Sequence, residues 1–221
     1  MKASPLPLLF ALAVTPLLRA EPPLVETMPL TDFGVKPKVR SEITRMWQAA
    51  AGKVRFAALR GPDFYGPGTG NSHLGDLAFG SLAKGQTATF AVSPDQQHDF
   101  AYVPDFGRGV VTLLDAPDDC FGQAWHLPCA PTRTMREIFA LGAQTLGVKP
   151  KLRALPRWSL APMGLFMPML GELSEMLFQW DRPYRVDASR FAKRFWSDVT
   201  PFEVGARETA LAFKAVAKAA A

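Results

Sequence analysis

The sequence predicts an α/β fold, because short apolar runs alternate with segments that have the periodicity of helices. The clearest run is VRFAAL at residues 54–59, which is short, apolar and β-favouring, as in a buried strand of a parallel sheet. It leads into RGPDFYGPG at residues 60–68, a stretch too rich in glycine and proline to continue a strand. Open α/β sheets bind ligands beyond the carboxyl ends of their strands, so this loop is the first candidate for a binding site.

A helix is expected before this strand, over residues 39–51. Prolines keep residues 21–38 extended, and Gly52 ends the helix. Apolar side chains recur within it every three or four positions and predict a buried stripe. The stripe consists of Val39, Ile43, Met46, Trp47 and Ala50.

The elements after the loop are marked by helix caps and short apolar runs. Thr134 and Glu137 have the spacing of a capping box and predict a helix that begins at residue 135. Asp105 is a candidate cap for a helix that runs through Leu114. The other expected helices are 73–83, 135–146, 188–195 and 201–220, with two apolar helical pieces within 159–180. The expected strands are 87–92, 100–103, 123–127 and 148–155.

Composition indicates a protein with a hydrophobic core and gives no sign of a nucleic-acid-binding tail. Hydrophobic residues make up 48% of the chain and charged residues 20%, which is enough apolar material for a packed domain. The net charge of +5 is spread along the chain. Its densest cluster, Lys36, Lys38 and Arg40, is shorter than a nucleic-acid-binding run and has no interleaved aromatic residues. We therefore expect no nucleic-acid partner.

The two cysteines, Cys120 and Cys129, are expected to be free thiols. Two cysteines cannot form a disulfide framework, and free thiols fit a reducing compartment. A metal site would have to combine them with His98 and His126, but no pair among these four has the short spacing of metal ligands. No metal site is therefore expected, and His126, within an apolar strand, is expected to be a core residue.

The first twenty residues are open to two interpretations. Lys2, the apolar stretch 5–18 and the following Arg-Ala-Glu have the outline of a signal peptide, which would export the protein as a secreted ligand binder. Three prolines interrupt the stretch, and it is too short to span a membrane, so a leader without an address function is the favoured interpretation. We expect a cytoplasmic protein with no membrane partner, in which residues 1–25 are a leader and residues 26–221 form the domain.

Four landmarks between residue 26 and about residue 213 occur in the order found in a known family. They are Lys38-Val-Arg-Ser-Glu42 at the start of a helix, Leu59-Arg60 followed by Tyr65-Gly-Pro-Gly68, the segment from His98 to Phe106, and Gly122 to Pro128 followed by Thr134 to Glu137. Together they resemble the extended short-chain dehydrogenase/reductases, the NAD-dependent epimerase/dehydratase family. The resemblance implies the C-terminal half of a Rossmann-like α/β fold with its substrate-binding subdomain, and NAD(P) as the cofactor.

Three features of that family are not found in this sequence. No glycine-rich phosphate loop follows a strand near the start of the chain, so the N-terminal dinucleotide-binding half is expected to be missing. Gly34 stands four residues before Lys38, where the family has its catalytic tyrosine. The family's catalytic serine would fall earlier still and has no counterpart. Binding of NAD(P) by this chain alone is therefore expected to be poor.

The resemblance assigns roles to residues around the loop. Lys38 corresponds to the family's catalytic and ribose-binding lysine, but without the tyrosine it is vestigial, because an unperturbed lysine is already protonated at neutral pH. Pro62 would line the nicotinamide side of the site. The residues that would contact the substrate are Asp63, Tyr65, His98 and Asp99. Since the loops after parallel strands converge, we expect Lys38, Asp63, Tyr65 and His98 to face one cavity.

Each of these residues also has a purely structural interpretation. Lys38 could be a surface cation at the start of a helix. Asp63 could form an Asx-turn and Tyr65 could pack on the sheet. His98 and Asp99 could form a turn and begin a strand.

The function predicted from the resemblance is that of a truncated NAD(P)-dependent epimerase, dehydratase or reductase, inactive alone. Its remnant cleft would take a small-molecule substrate, either a nucleotide-sugar or a carbonyl compound. The alternative is a non-enzymatic module that binds a ligand or a partner protein. A sheet edge and an apolar face left uncovered by the missing half also predict self-association.

Overall fold

Strands and helices alternate along the chain in the computed structural model. The structure describes residues 8–13, 23–32, 34–51, 53–156, 177–180 and 182–219, and for the first of these ranges it describes only the backbone. The strands are β1 (Leu8–Ala13), β2 (Phe56–Gly61), β3 (Asp63–Tyr65), β4 (Ala88–Phe90), β5 (Gln97–His98), β6 (Phe100–Tyr102), β7 (Ala124–His126), β8 (Arg133–Thr134) and β9 (Leu152–Ala154). The α-helices are α1 (Val35–Ala49), α2 (Ser81–Ala83), α3 (Val103–Leu114), α4 (Met135–Leu146), α5 (Ser189–Arg194) and α6 (Phe202–Ala219). A π-helix (Gly75–Gly80) precedes α2, and 3₁₀ turns lie at Asp118–Cys120 and Leu177–Gln179.

A parallel three-stranded sheet in the order β1–β2–β7 forms the base of the fold. Every residue of β2 is buried, because helices cover both of its faces. On one face Phe56 packs against Trp47 of α1, with ring centroids 4.6 Å apart. On the other, Leu59 packs in a cluster with Leu113 of α3. The sheet therefore directs the carboxyl end of β2, and the loop that follows it, toward one edge of the molecule.

The first strand of this sheet lies in the segment that we predicted to be a leader. Leu8–Ala13 pairs in parallel with β2 along its whole length. Leu24 is also buried, and its backbone pairs with the segment around Val186. Residues on the N-terminal side of the predicted boundary at residue 26 therefore pair with strands of the domain. A short apolar run fits a leader and a buried strand equally well, and only its partner strand distinguishes the two.

Helix α1 begins four residues earlier than predicted and buries a different face. Pro37 is accommodated in the first turn, where its missing N–H has no helical partner to lose. The buried residues are Pro37, Ser41, Thr44 and Trp47. Of the predicted stripe only Trp47 is buried, whereas Val39 and Met46 are 47% and 73% exposed. The hydroxyls of Ser41 and Thr44 donate to backbone carbonyls, which is why polar residues can occupy the covered face.

The second part of the fold is built from short strand pairs and two long helices. β3 pairs with β6 and β4 with β9, both in parallel, and β5 pairs with β8 in antiparallel fashion. Helices α4 and α6 pack on each other and on the π-helix. Their shared core is dominated by buried aromatic residues, including Phe79, Phe90, Phe139 and Phe202.

Of the helix caps predicted at Thr134 and Asp105, the first is confirmed and the second is wrong. The capping box of α4 is confirmed, because Thr134 accepts from the backbone N–H of Glu137 and Glu137 accepts from that of Thr134. The predicted cap at Asp105 is wrong, because α3 begins two residues earlier, at Val103. Asp105 instead accepts two hydrogen bonds from Thr200, at 2.8 and 2.9 Å. The two helical pieces predicted within 159–180 lie outside the described residues, apart from 177–180.

No helix in the described part of the chain combines the length and the apolar character needed to cross a membrane.

Candidate functional site

The candidate site forms where β2 gives way to β3. Pro62, which has no N–H to donate, separates the two strands, and the pairing partner changes from β7 before it to β6 after it. The composition of residues 60–68 predicts a loop throughout, so the strand at Asp63–Tyr65 is a correction. This change of partner turns the chain out of the main sheet and places Asp63 beside His98 of the neighbouring β5.

Asp63 and His98 form a close pair at this point. Oδ2 of Asp63 lies 2.8 Å from Nε2 of His98. The His98 side chain is fully buried, whereas 24% of the Asp63 side chain is exposed. For the contact to be a hydrogen bond, Nε2 must carry the proton and Oδ2 must accept it. The carboxylate is thus the part of the pair that faces outward.

Aromatic rings fix the orientation of His98. The Trp180 ring stacks on one side of it, with centroids 3.9 Å apart and planes 4° apart. The Tyr184 ring is also parallel to it, with centroids 4.5 Å apart and planes 14° apart. Both ring nitrogens are buried and neither makes a hydrogen bond of good geometry, so Nε2 meets Asp63 as a close polar contact. His98 therefore cannot turn outward without breaking both stacking contacts.

Electrostatics keep Asp63 ionised. Burial alone would raise the pKa of its carboxyl, but the close contact with His98 holds that pKa below its ordinary value. His73 packs edge-on against Trp180 at 4.8 Å. Burial lowers the pKa of His73 despite the opposing effect of Asp63, so His73 is neutral at neutral pH. The site therefore carries a fixed carboxylate with a buried histidine behind it.

A cavity of about 550 Å³ opens in front of this carboxylate. Its lining consists of Asp63, Phe64, Gly68, Thr69, Gly70, Asn71 and Ser72. The Ser72 Oγ is buried without a hydrogen-bond partner, while Thr69 donates its hydroxyl to the Gly66 carbonyl. None of these lining residues is a lysine or an arginine, so the described wall of the cavity offers a carboxylate, hydroxyls and the Asn71 amide, and no cation.

The structure does not bring all the predicted site residues together. Tyr65 lies in the core against Tyr102 and Phe202, at centroid distances of 5.3 and 5.4 Å, and burial raises its pKa far above the ordinary value. Asp99 is buried and accepts from the backbone N–H of Val186 at 2.8 Å. Burial raises the pKa of Asp99. These two side chains hold strands in place and do not line the cavity.

Lys38 and Pro62 are not among the described residues that line the Asp63 cavity. Lys38 is exposed in the first turns of α1, and no hydrogen bond or ion pair links it to Asp63 or His98 in the described part of the chain. Pro62 is buried between two strands. Of the four residues expected to face one cavity, only Asp63 lines it, and His98 contacts Asp63 from a fully buried position. The ligand-binding roles of all these residues remain predictions.

The sequence analysis missed a buried charge at the end of β2. The Arg60 side chain is 1% exposed, and its Nε and Nη1 have no hydrogen-bond partner. Burial lowers its pKa to about 10, partly offset by the charge of Glu26. His126, opposite Arg60 in β7, is a core residue as expected, and burial together with the charge of Arg60 lowers its pKa to about 4. An arginine within an otherwise apolar buried run was the available sequence signal.

The cysteines behave as expected from the sequence. Cys120 and Cys129 are both free. Burial raises the pKa of the Cys129 thiol, so this thiol is protonated at neutral pH. Among the described residues no group of three or more histidine, cysteine, aspartate or glutamate side chains could hold a metal ion.

Solved structures of the same fold have been determined for nucleotide-sugar enzymes. UDP-glucuronic acid 4-epimerase from Bacillus cereus in complex with NAD superposes with a TM-score of 0.69 at 13% identity, covering 95% of this chain and 62% of that one. UDP-glucose 4-epimerase from Thermus thermophilus in complex with NAD gives 0.69 at 18%, covering 94% and 64%. dTDP-glucose 4,6-dehydratase from Bacillus anthracis in complex with NAD gives 0.70 at 14%, covering 94% and 61%. At these identities the likeness establishes the fold, and the chain spans less than two thirds of the length of these enzymes.

The sequence comparison points to the same group. No curated protein sequence matches the chain. Residues 20–125, however, match the model of the NAD dependent epimerase/dehydratase family. The resemblance of this chain to the NAD-dependent epimerase/dehydratase family is thereby confirmed, together with the Rossmann-like α/β fold of the extended short-chain dehydrogenase/reductases.

Proposed function

We propose that the chain is the substrate-side portion of an NAD(P)-dependent epimerase, dehydratase or reductase, and that it is inactive by itself. The observation that carries the proposal is the position of the cavity. It opens at the carboxyl end of β2, where the parallel sheet ends and where open α/β folds place their ligands. The coverage of only 61% to 64% of the fold relatives supports a missing portion. A small-molecule substrate is proposed on the same grounds.

The described residues do not fit the pyrophosphate of a dinucleotide. Such a group needs a helix N-terminus with free backbone N–H groups and room for the phosphates. The glycine-containing stretch at 66–70 leads toward the π-helix, but the carbonyl oxygens of Thr69 and Gly70 lie over the start of that helix. A Cβ on Gly75 would meet both oxygens at 2.2 Å, and the Asp76 N–H is already bonded to Gly70. The start of this helix therefore has no room for a phosphate, and we propose no phosphate-binding site there.

The residues at the nicotinamide end of the family's site also fit poorly. Gly34 occupies the position of the family's catalytic tyrosine and has no side chain to exchange a proton. It caps α1 with a φ of 83°, a conformation that favours glycine over tyrosine. Lys38 is exposed to solvent, one helical turn away. We therefore derive no catalytic step from this end of the molecule.

The same observations favour a second candidate, a non-enzymatic module that binds a ligand or a partner protein. A cavity with a fixed carboxylate can bind a small molecule whether or not a proton-transfer group is present. The two candidates differ in whether the chain takes up a dinucleotide. Cytoplasmic location is proposed for both.

Isothermal titration of the chain with NAD(H) and NADP(H) tests the proposal. We expect no binding in the low micromolar range, because the chain offers no described phosphate site. Lys38→Met is the matched control, since binding in the family's mode would be weakened by this change. A low micromolar dissociation constant that Lys38→Met weakens would show that the chain holds a working cofactor site, and the truncated-portion proposal would then be wrong.

A further inference from the structure

We propose that the Asp63 cavity binds a neutral or cationic small molecule that presents hydroxyl or amine donors, and that it discriminates against phosphate esters. The inference deepens the proposed function, because it names the substrate class of the same cavity. It disfavours a nucleotide-sugar, one of the two substrate classes that the family resemblance leaves open, because a nucleotide-sugar carries a diphosphate.

The described wall of the cavity carries a negative charge. Asp63 contributes a carboxylate that is 24% exposed, and the other described lining residues contribute no cation. A carboxylate accepts hydrogen bonds and cannot donate them. Since its Oδ2 is buried against His98, Oδ1 remains for a ligand. A phosphate oxygen placed there would meet a like charge, whereas a hydroxyl or an ammonium group would find an acceptor.

His98 does not reverse the preference of the cavity for hydrogen-bond donors over phosphate. Its side chain has no exposed surface, and its Nε2 points to the carboxylate. The parallel rings of Trp180 and Tyr184 hold it in this orientation, at 3.9 and 4.5 Å. A ligand in the cavity therefore meets the anionic partner of the pair and not the histidine.

A second polar group in the cavity wall is Asn71, whose exposed side-chain amide can both donate and accept a hydrogen bond. The Ser72 Oγ has no exposed surface, so it does not face a ligand in this arrangement. Asp63 and Asn71 together thus fit a molecule with at least two polar groups, such as a polyol or an amino alcohol.

The experiment measures binding of three probes to the chain by two-dimensional NMR, in the absence of any dinucleotide. The probes are D-glucosamine, D-glucose and UDP-glucose, and the reporters are the amide signals of Asn71 and Ser72. We expect glucosamine to bind most tightly and UDP-glucose most weakly. Asp63→Asn removes the charge while keeping the shape, and should weaken glucosamine relative to UDP-glucose by about tenfold, the usual difference between a charge-assisted and a neutral hydrogen bond.

Asp198→Asn is the matched control, because Asp198 is a carboxylate paired with Arg108 on the surface and does not line the cavity. It should leave the ratio of the two affinities unchanged. Because each variant is judged by the ratio of its affinities for glucosamine and UDP-glucose, a loss of stability in Asp63→Asn does not change the conclusion. The inference is overturned if UDP-glucose binds the unmodified chain more tightly than glucosamine, if Asp63→Asn leaves the ratio unchanged, or if no probe shifts these amides. No result depends on NAD(P) binding, so failure here is distinguishable from failure of the proposed function.

Discussion

Gly142 offers a direct test of how α4 packs on the π-helix that follows the candidate cavity. A Cβ built on Gly142 would lie 2.2 Å from Cε1 of Phe79 and 3.1 Å from two further atoms of that ring. Phe79 is fully buried, with Phe139 and Phe213 as neighbours at 6.1 and 6.4 Å, so its ring has no free space to enter. Overpacking of this kind costs about 1–3 kcal/mol. It opposes the gain of about 1 kcal/mol that alanine normally has over glycine within a helix.

Gly107 in α3 is the matched control for this substitution. It is exposed, and a Cβ at this position would meet no atom within 4 Å. Gly107→Ala should therefore stabilise the protein by up to about 1 kcal/mol, while Gly142→Ala should destabilise it by a net amount of roughly 0–2 kcal/mol. Urea denaturation followed by circular dichroism gives the free energy of unfolding of both variants. If Gly142→Ala is stabilised as much as Gly107→Ala, the close packing of Phe79 on α4 is wrong.

Three further predictions concern pH, capping and association. Folding lowers the pKa of His126 from 6.5 to about 4, so between these pH values the unfolded chain binds a proton that the folded protein does not, and the free energy of unfolding falls as the pH falls. In thermal melts over this pH range, His126→Gln should lose less of its free energy of unfolding than the unmodified chain, by an amount on the order of 3 kcal/mol. Thr134→Ala removes the capping box and should lower the free energy of unfolding by about 1 kcal/mol in urea titrations, whereas an unchanged midpoint would mean that the cap contributes nothing. We expect the chain to self-associate through the exposed apolar side chains of α1. Light scattering should show less association for Met46→Glu than for Val216→Glu, at a position of similar exposure on α6 (73% and 68%), and a monomer in the unmodified chain would contradict this.

Local sequence rules predicted the parts of the fold that depend on neighbouring residues. The capping box at Thr134 and Glu137 needs only residues three positions apart, and α4 begins and ends where it was predicted. The strand expected at 54–59 is found at Phe56–Gly61, shifted by two residues. The shift arises because Arg60 and Gly61 were assigned to the loop on composition, whereas β1 and β7 pair with this end of the strand and keep it in the sheet.

The composition of the candidate site depends on contacts that no local pattern contains. His98 was singled out from its place before a strand, but its neighbours Trp180 and Tyr184 lie more than 80 positions away, and His73 reaches the site from a third segment. Tyr65 shows the opposite case. It is two residues from Asp63 in the same short strand, so both were expected to face a ligand.

The alternation of side chains along a strand does not by itself separate Asp63 from Tyr65, because residues two apart lie on the same face. What separates them is the neighbour on that face. Asp63 lies beside β5 and the 68–72 loop, where a cavity remains. Tyr65 is covered by α6, and Gly205 of that helix allows the tyrosine ring to approach closely. A Cβ on Gly205 would lie 2.4 Å from the Tyr65 hydroxyl. Gly205 is the fourth residue of α6, and glycine within a helix is about 1 kcal/mol less favourable than alanine, which makes close packing against it a reason for its presence. The glycine at position 205 was thus the sequence signal that Tyr65 belongs to the core, but it could be read only once the fold had shown which ring faces it.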